Sequence, residues 1–100
     1  MTCSDPPPAA LIAGIEQFNA REFYECHETL EAIWLAEAGD IRKLYQGILQ
    51  VGVAFYHLGR ANYRGATSLL ETGITYLRSF APGCMGVDVQ QLIDDSIHCY

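Results

Sequence analysis

The stretch IRKLYQGILQVGVAFYHL, residues 41–58, decides how the chain folds. Apolar residues recur in it at spacings of three and four, never in strict alternation, so it reads as a helix. Leu44, Ile48, Leu49, Val51, Phe55 and Leu58 cover most of its circumference. A helix that is apolar nearly all round needs neighbours on several sides and therefore belongs at the centre. One stripe is the exception: Lys43, Gln46, Gln50 and Val53 lie within about 40° of His57 on the wheel.

Outward from this segment the same period holds. Upstream, residues 21–38 form a helix that Gly39 stops, and Asp40 is placed to cap its successor. Before it, SDPPP opens a first helix, since prolines suit an entry and first turn but not an interior. Leu11, Ile12, Ile15 and Phe18 make its stripe. Asn19 is read as its last residue and as the cap of the next helix, with Glu22 as capping-box partner. Downstream, Asn62 caps a fourth helix running to about Phe80, with Ala66, Leu69, Leu70, Gly73, Ile74 and Leu77 inward. Gly65, Ala66 and Gly73 are small enough for another helix to come close. APGCMG is a loop. A fifth helix starts at Asp88, boxed by Gln91 and stapled by Val87 on Leu92, with Val89, Leu92, Ile93 and Ile97 inward. FNAREF and ANYRGA, 43 residues apart, open two of these helices with aligned apolar positions. In that alignment His27 matches Leu70 and Glu31 matches Ile74. The expectation is one all-α domain over residues 1–100, residues 1–7 flexible, with about five antiparallel helices packed around a central third.

Composition bounds the role. Half of the 100 residues are hydrophobic and 18% charged, which suits a packed core and not disorder. The net charge is −6 and the pI about 4.8, with no Lys/Arg cluster. Nucleic acid and anionic membrane surfaces are therefore poor partners. No apolar run is long enough to cross a bilayer, and MTCSDPPPAA does not have the pattern of a signal peptide. Cys3, Cys26, Cys84 and Cys99 form no Cys-x-x-Cys pair; free thiols in a reducing cytoplasm are expected.

The chemistry concentrates in ECHETLEAIW, residues 25–34. His27, Glu31 and Trp34 share a face with Phe23, Tyr24 and Leu30, within about 60° of His27, and that face is expected to pack inward. A turn as short as residues 38–40 makes helices two and three antiparallel neighbours. Glu31 then comes level with Gln46, His27 with Gln50 and Tyr24 with Val53, while His57 falls near the start of helix two. A buried Glu without partners costs several kcal/mol or stays protonated. An imidazole, two amides and a Tyr24 or Tyr45 hydroxyl would satisfy it. Such a network stabilises less than packed aliphatics do, so it points to packing specificity or to a function.

FNAREFYECHETLEAIW, YQGILQVGVAFYH and GVDV together resemble the domain-of-unknown-function family 309 of bacteria and archaea, whose hallmark is His-x-x-x-Glu-x-x-Trp: here His27, Glu31 and Trp34. The resemblance covers about residues 11–95 and implies a small all-α domain of packed antiparallel helices, without an established activity.

Several functions compete for the same residues. The first is a cytoplasmic binding or interaction module with a polar pocket lined by Tyr24, His27, Glu31, Trp34, Gln46, Gln50 and His57, its occupant a small molecule or a protein. The second is a metal-dependent, hydrolase-like enzyme. His27 and Glu31 at i and i+4 could hold a divalent metal with His57 or another chain completing the set. The zinc-protease likeness of His27-Glu28-x-x-Glu31 fails for want of a second His, and no Glu-x-x-His supports a di-iron bundle. The simplest account of the pair is a satisfied core contact that sets helix register. His27 as base oriented by Glu31 would need water or Cys26 as nucleophile, and Cys26 lies about 100° away on the wheel. Trp34 reads as core, its N–H given to Glu31. Tyr45, Tyr56, Tyr63 and Tyr76 with Phe55 and Leu58 suggest an apolar patch, hence a homodimer.

Overall fold

Among the described residues five helices account for the architecture: α1 Ala9–Asn19, α2 Phe23–Ala36, α3 Ile41–Gly59, α4 Tyr63–Arg78 and α5 Val89–His98. The computed structural model describes residues 2–98. As its all-round apolarity requires, α3 is central. It packs on α2 along one side and on α4 along the other, while α1 lies against α2 and α5 against α4. Leu44, Tyr45, Ile48, Val51 and Ala54 of α3 are buried together with Leu11, Leu30, Leu70, Leu77 and Ile93 from the other four helices.

Two tight turns make helical hairpins of α1–α2 and α3–α4. In the first, Arg21 adopts φ 63° and the Glu22 N–H reaches back to the Gln17 carbonyl at 2.9 Å. In the second, Ala61 adopts φ 59° and the Asn62 N–H reaches the His57 carbonyl at 2.9 Å. A left-handed residue followed by a six-residue back-bond is how a helix end satisfies its last carbonyls. The two turns are forty positions apart, not 43. In this register Cys26 matches Ala66 and Leu30 matches Leu70, all four buried. His27 and Glu31 match Thr67 and Glu71, which are exposed. The alignment of the sequence motifs was three residues out.

The turn geometry also corrects two caps. Asn19 ends α1 but does not cap α2, because the chain leaves through the left-handed Arg21 and Glu22 occupies the cap without a side-chain bond. Asp40 precedes α3 in helical conformation, and its side chain accepts no cap bond. The other two caps hold: Asn62 Oδ1 accepts from the Gly65 N–H at 3.2 Å, and Asp88 Oδ1 from the Gln91 N–H at 3.0 Å. Gln91 does not return the bond, since its amide goes forward to Asp95 at 2.8 Å.

Two inward assignments fail. Ile12 and Ile97 are each 46% exposed. Ser96 is buried in place of Ile97, its hydroxyl donating to the Leu92 carbonyl at 2.7 Å. That internal bond removes the cost of hiding the hydroxyl. Of the expected aromatic patch, Tyr56 and Tyr63 stay exposed while two members turn inward. Tyr45 is buried, and Phe55 packs with Phe18 and Phe23 at ring distances of 5.5 and 5.9 Å.

The expectation of free thiols fails at two positions. Cys3 and Cys84 form a disulfide that spans 81 positions. The Met85 N–H also donates to the Cys3 carbonyl at 2.9 Å. The N-terminal segment thus folds back onto the α4–α5 loop, a proximity that no spacing in the sequence reveals. Cys26 is a buried free thiol, and burial pushes it up to about 11. A protonated thiol inside the core is a poor nucleophile. Alkylation of Cys26 in the folded protein should therefore be slow, and should rise to the rate of an open thiol only on unfolding. Peptide-level mass spectrometry after timed labelling checks this. Cys99 lies outside the described residues.

Candidate functional site

The inward face of α2 is set by Phe23, Cys26, Leu30 and Ile33. Cys26 and Leu30 are buried, with the Cys26 thiol close above Gly52 of α3, and Phe23 and Ile33 are half-buried. His27 lies about 80° from the centre of that face and Glu31 about 120°. The reading that placed them mid-stripe is corrected accordingly. They sit on the flank, their side chains 37% and 47% exposed, with His27 Nε2 at 2.8 Å from a Glu31 carboxylate oxygen. Counting Cys26 and Ile33 as core residues would have rotated the face correctly.

The amide network does not form. Gln46 and Gln50 are half-buried on α3, but Gln50 Oε1 and His27 Nδ1 are both buried without a hydrogen-bond partner. Trp34 Nε1 is likewise buried and unpartnered, so it is not donated to Glu31. The Trp34 ring serves instead as a platform. The Arg42 guanidinium carbon stands 4.3 Å from its centroid, and Arg42 Nε donates to the Trp34 carbonyl at 3.1 Å. This clamps the α2–α3 turn and sets a cation at the end of α2 where carbonyls accumulate.

The structure does bring Tyr24, His27 and His57 together. With Phe23, Val53 and Tyr56 they wall a cleft of about 250 Å³ between α2 and α3. Its lining is mostly carbon from three aromatic rings, with two imidazoles at the edges. His57 Nδ1 lies 3.2 Å from the Asn62 amide, so this ring also steadies the α3–α4 turn. Across the rim of α2 a shallower shelf continues, formed by Tyr24, His27, Glu28, Glu31, Ala32 and Leu35. The Glu28 carboxylate accepts a hydrogen bond from Tyr24, and that bond, with its charge, raises the phenol above its ordinary value. Phe23, Tyr56 and Leu35 were not singled out as site residues by the sequence. The signal of Tyr56 and Leu35 is exposure of a large apolar group, which appears only once the faces are known; Phe23 is half-buried and belongs to the edge of the core face.

Chemically, the pair offers little to a reaction. With Nε2–H donated to Glu31, the basic nitrogen of His27 is Nδ1, and that atom is closed off from solvent. Among the described residues no three His, Cys, Asp or Glu side chains gather where they could hold a metal, so His57 does not complete a ligand set with His27 and Glu31. The pair behaves as a half-exposed i, i+4 contact, of a kind that stabilises by well under about 1 kcal/mol. A double-mutant cycle over His27→Ala and Glu31→Ala should return a coupling of about 0.5 kcal/mol or less in thermal unfolding. A coupling above about 2 kcal/mol would instead show a network worth preserving.

A model of a domain of unknown function (DUF309) matches residues 11–69, which span α1 to α3 and the first half of α4. The uncharacterized protein YpuF of Bacillus subtilis (strain 168) is 39% identical over 74 residues, 72% of this chain and 42% of that protein. An uncharacterized protein of Aquifex aeolicus (strain VF5) is 21% identical over 76 residues, 75% of this chain and 23% of that protein. The chain thus spans less than half the length of these curated relatives. No solved structure matches it. The cleft and the shelf lie within the matched residues, whereas Cys3 and Cys84 lie outside them.

Proposed function

The chain belongs to the DUF309 family of domains of unknown function, and from that premise we propose that it is a binding module whose cleft between α2 and α3 receives an apolar group of a small molecule or partner protein. The observation that carries this is the cleft itself: Phe23, Tyr24 and Tyr56 wall it, and Tyr24 stays 63% exposed at its mouth. Aromatic side chains held open around a concave, carbon-lined site are what recognition surfaces use, because they contribute large contact area at small entropic cost. Of the polar set, Tyr24, His27 and His57 belong to this site, with Glu31 on the adjoining shelf; Gln46, Gln50 and Trp34 serve the packing beside it.

The metal-dependent reading has less support, since His27 and Glu31 supply two donors and no third stands with them among the described residues. The thiol argument for a reducing compartment also loses its footing, with Cys3 and Cys84 joined. No helix among the described residues is long and apolar enough to cross a membrane.

A fragment screen read by amide chemical shifts tests the proposal. Hits should cluster on Phe23, His27, Val53 and Tyr56, and Val53→Trp, which fills the cleft, should abolish them while leaving a cooperative melt. Hits confined to a second carbon-lined cavity, of about 230 Å³ between Ile15, Phe18, Ile48, Val87 and Leu92, would overturn it.

A further inference from the structure

On the reading that this cleft binds a partner, we propose that the partner is a protein presenting a basic, amphipathic segment, which lies along the outer face of α2 and drops an apolar side chain into the cleft. Tyr24, Glu28, Glu31 and Leu35 fall within about 60° of one another on the side of α2 opposite its core face. Tyr24 and Leu35 are each 63% exposed, an unusual cost for two large apolar residues on one turned-out helix face. Between them stand the Glu28 and Glu31 carboxylates, with Glu25 beside them, and α2 contains no Lys or Arg. The chain as a whole carries −6. The face is therefore apolar at both ends and anionic in the middle.

Its length selects the occupant. Tyr24 to Leu35 is about 16 Å along the axis, three turns of helix. The cleft and the shelf share Tyr24 and His27 as a common wall, so they form one continuous surface and not two sites. A free small molecule fills the cleft alone. A segment of about three turns with Lys or Arg between two apolar anchors covers both parts, matching charge to charge and carbon to carbon.

Two fourteen-residue peptides test this, an amphipathic helix of Leu and Lys and its counterpart of Leu and Glu, titrated against the whole chain by calorimetry and amide shifts. The Leu/Lys peptide should bind, move the amides of residues 24–35 and of Val53 and Tyr56, and weaken as salt rises. Glu28→Lys with Glu31→Lys should cost at least tenfold in affinity. Glu16→Lys with Asp40→Lys makes the same change in net charge off this face and should cost less than threefold. Equal loss in both double variants, or equal binding of the Leu/Glu peptide, would overturn the basic partner while leaving the cleft as a binding site. Shifts on α2 that grow with protein concentration alone would assign the face to a second copy and overturn it as well. If neither peptide moves the cleft and the fragments also miss it, both readings fall together.

Discussion

Cys3→Ser should lower the unfolding free energy by about 2–4 kcal/mol, and a reductant should do the same to the unaltered chain. The bond joins positions 81 apart, so in the unfolded state it closes a loop holding most of the chain. Chain-entropy arguments place the effect of so long a loop at about 4.5 kcal/mol, an upper figure because denatured chains keep some structure. For a domain of this size that corresponds to a fall of roughly 10–20 °C in Tm. Cys3 is the better position to change: it is exposed, whereas Cys84 is 2% exposed and serine there would bury a new hydroxyl. The loss should be local in its native-state signature. The Met85, Val87 and Gln90 amides bond within or around the tethered loop, and their hydrogen-exchange protection should drop first. The α2–α3 cleft should keep its protection, since α3 and its neighbours do not depend on the tether. Melting curves that coincide with and without reductant, or two titratable thiols at these positions in the native protein, would defeat the prediction.

That tether marks where the sequence stops being legible. Helices were readable because their apolar period is local: α3 announces its central place through Leu44, Ile48, Val51 and Phe55 alone. Asn62 and Asp88 were readable as caps for the same reason, each needing only a donor three residues on. Asn19 misled because α1 gives way to a left-handed Arg21, and a non-glycine residue in that conformation leaves no sequence mark. The site suffered from a related ambiguity. His27 and Cys26 are adjacent, so the face of α2 could be centred on either side of them, and the choice turns His27 and Glu31 from core to flank. Only the packing of Cys26 over Gly52 of α3 settles that choice. The pairing of helices two and three was correctly inferred from the short turn, and it is what brings Tyr24, His27 and His57 to one cleft. The glutamines were level in height but not in direction, which a count along the axis does not capture.

Gly73→Val should destabilise the protein by about 3 kcal/mol or more, and Gly73→Ala by about 1–2 kcal/mol. At this position α4 lies directly against α3. A Cβ built on Gly73 would meet Val51 Cγ2 at 2.9 Å and the Gly47 carbonyl oxygen at 3.2 Å. The valine methyl could turn away, but the carbonyl belongs to the backbone of the central helix and moves only if the helices separate. Gly47 leaves no slack on the other side, since its own Cβ would meet Leu77 at 2.9 Å. Against the clash stands the helix propensity that alanine restores, at most about 1 kcal/mol. The steric term wins because separating α3 from α4 uncovers Val51, Leu70, Ile74 and Leu77 together, each losing contacts that a closely packed interior does not replace. Gly59 supplies the control. It ends α3 with nothing within 4 Å of a built Cβ, so Gly59→Ala should be neutral or stabilising by up to about 1 kcal/mol. Urea unfolding of the three variants measures the contrast, and a Gly73→Ala protein as stable as Gly59→Ala would mean that the α3–α4 contact is looser than the geometry requires.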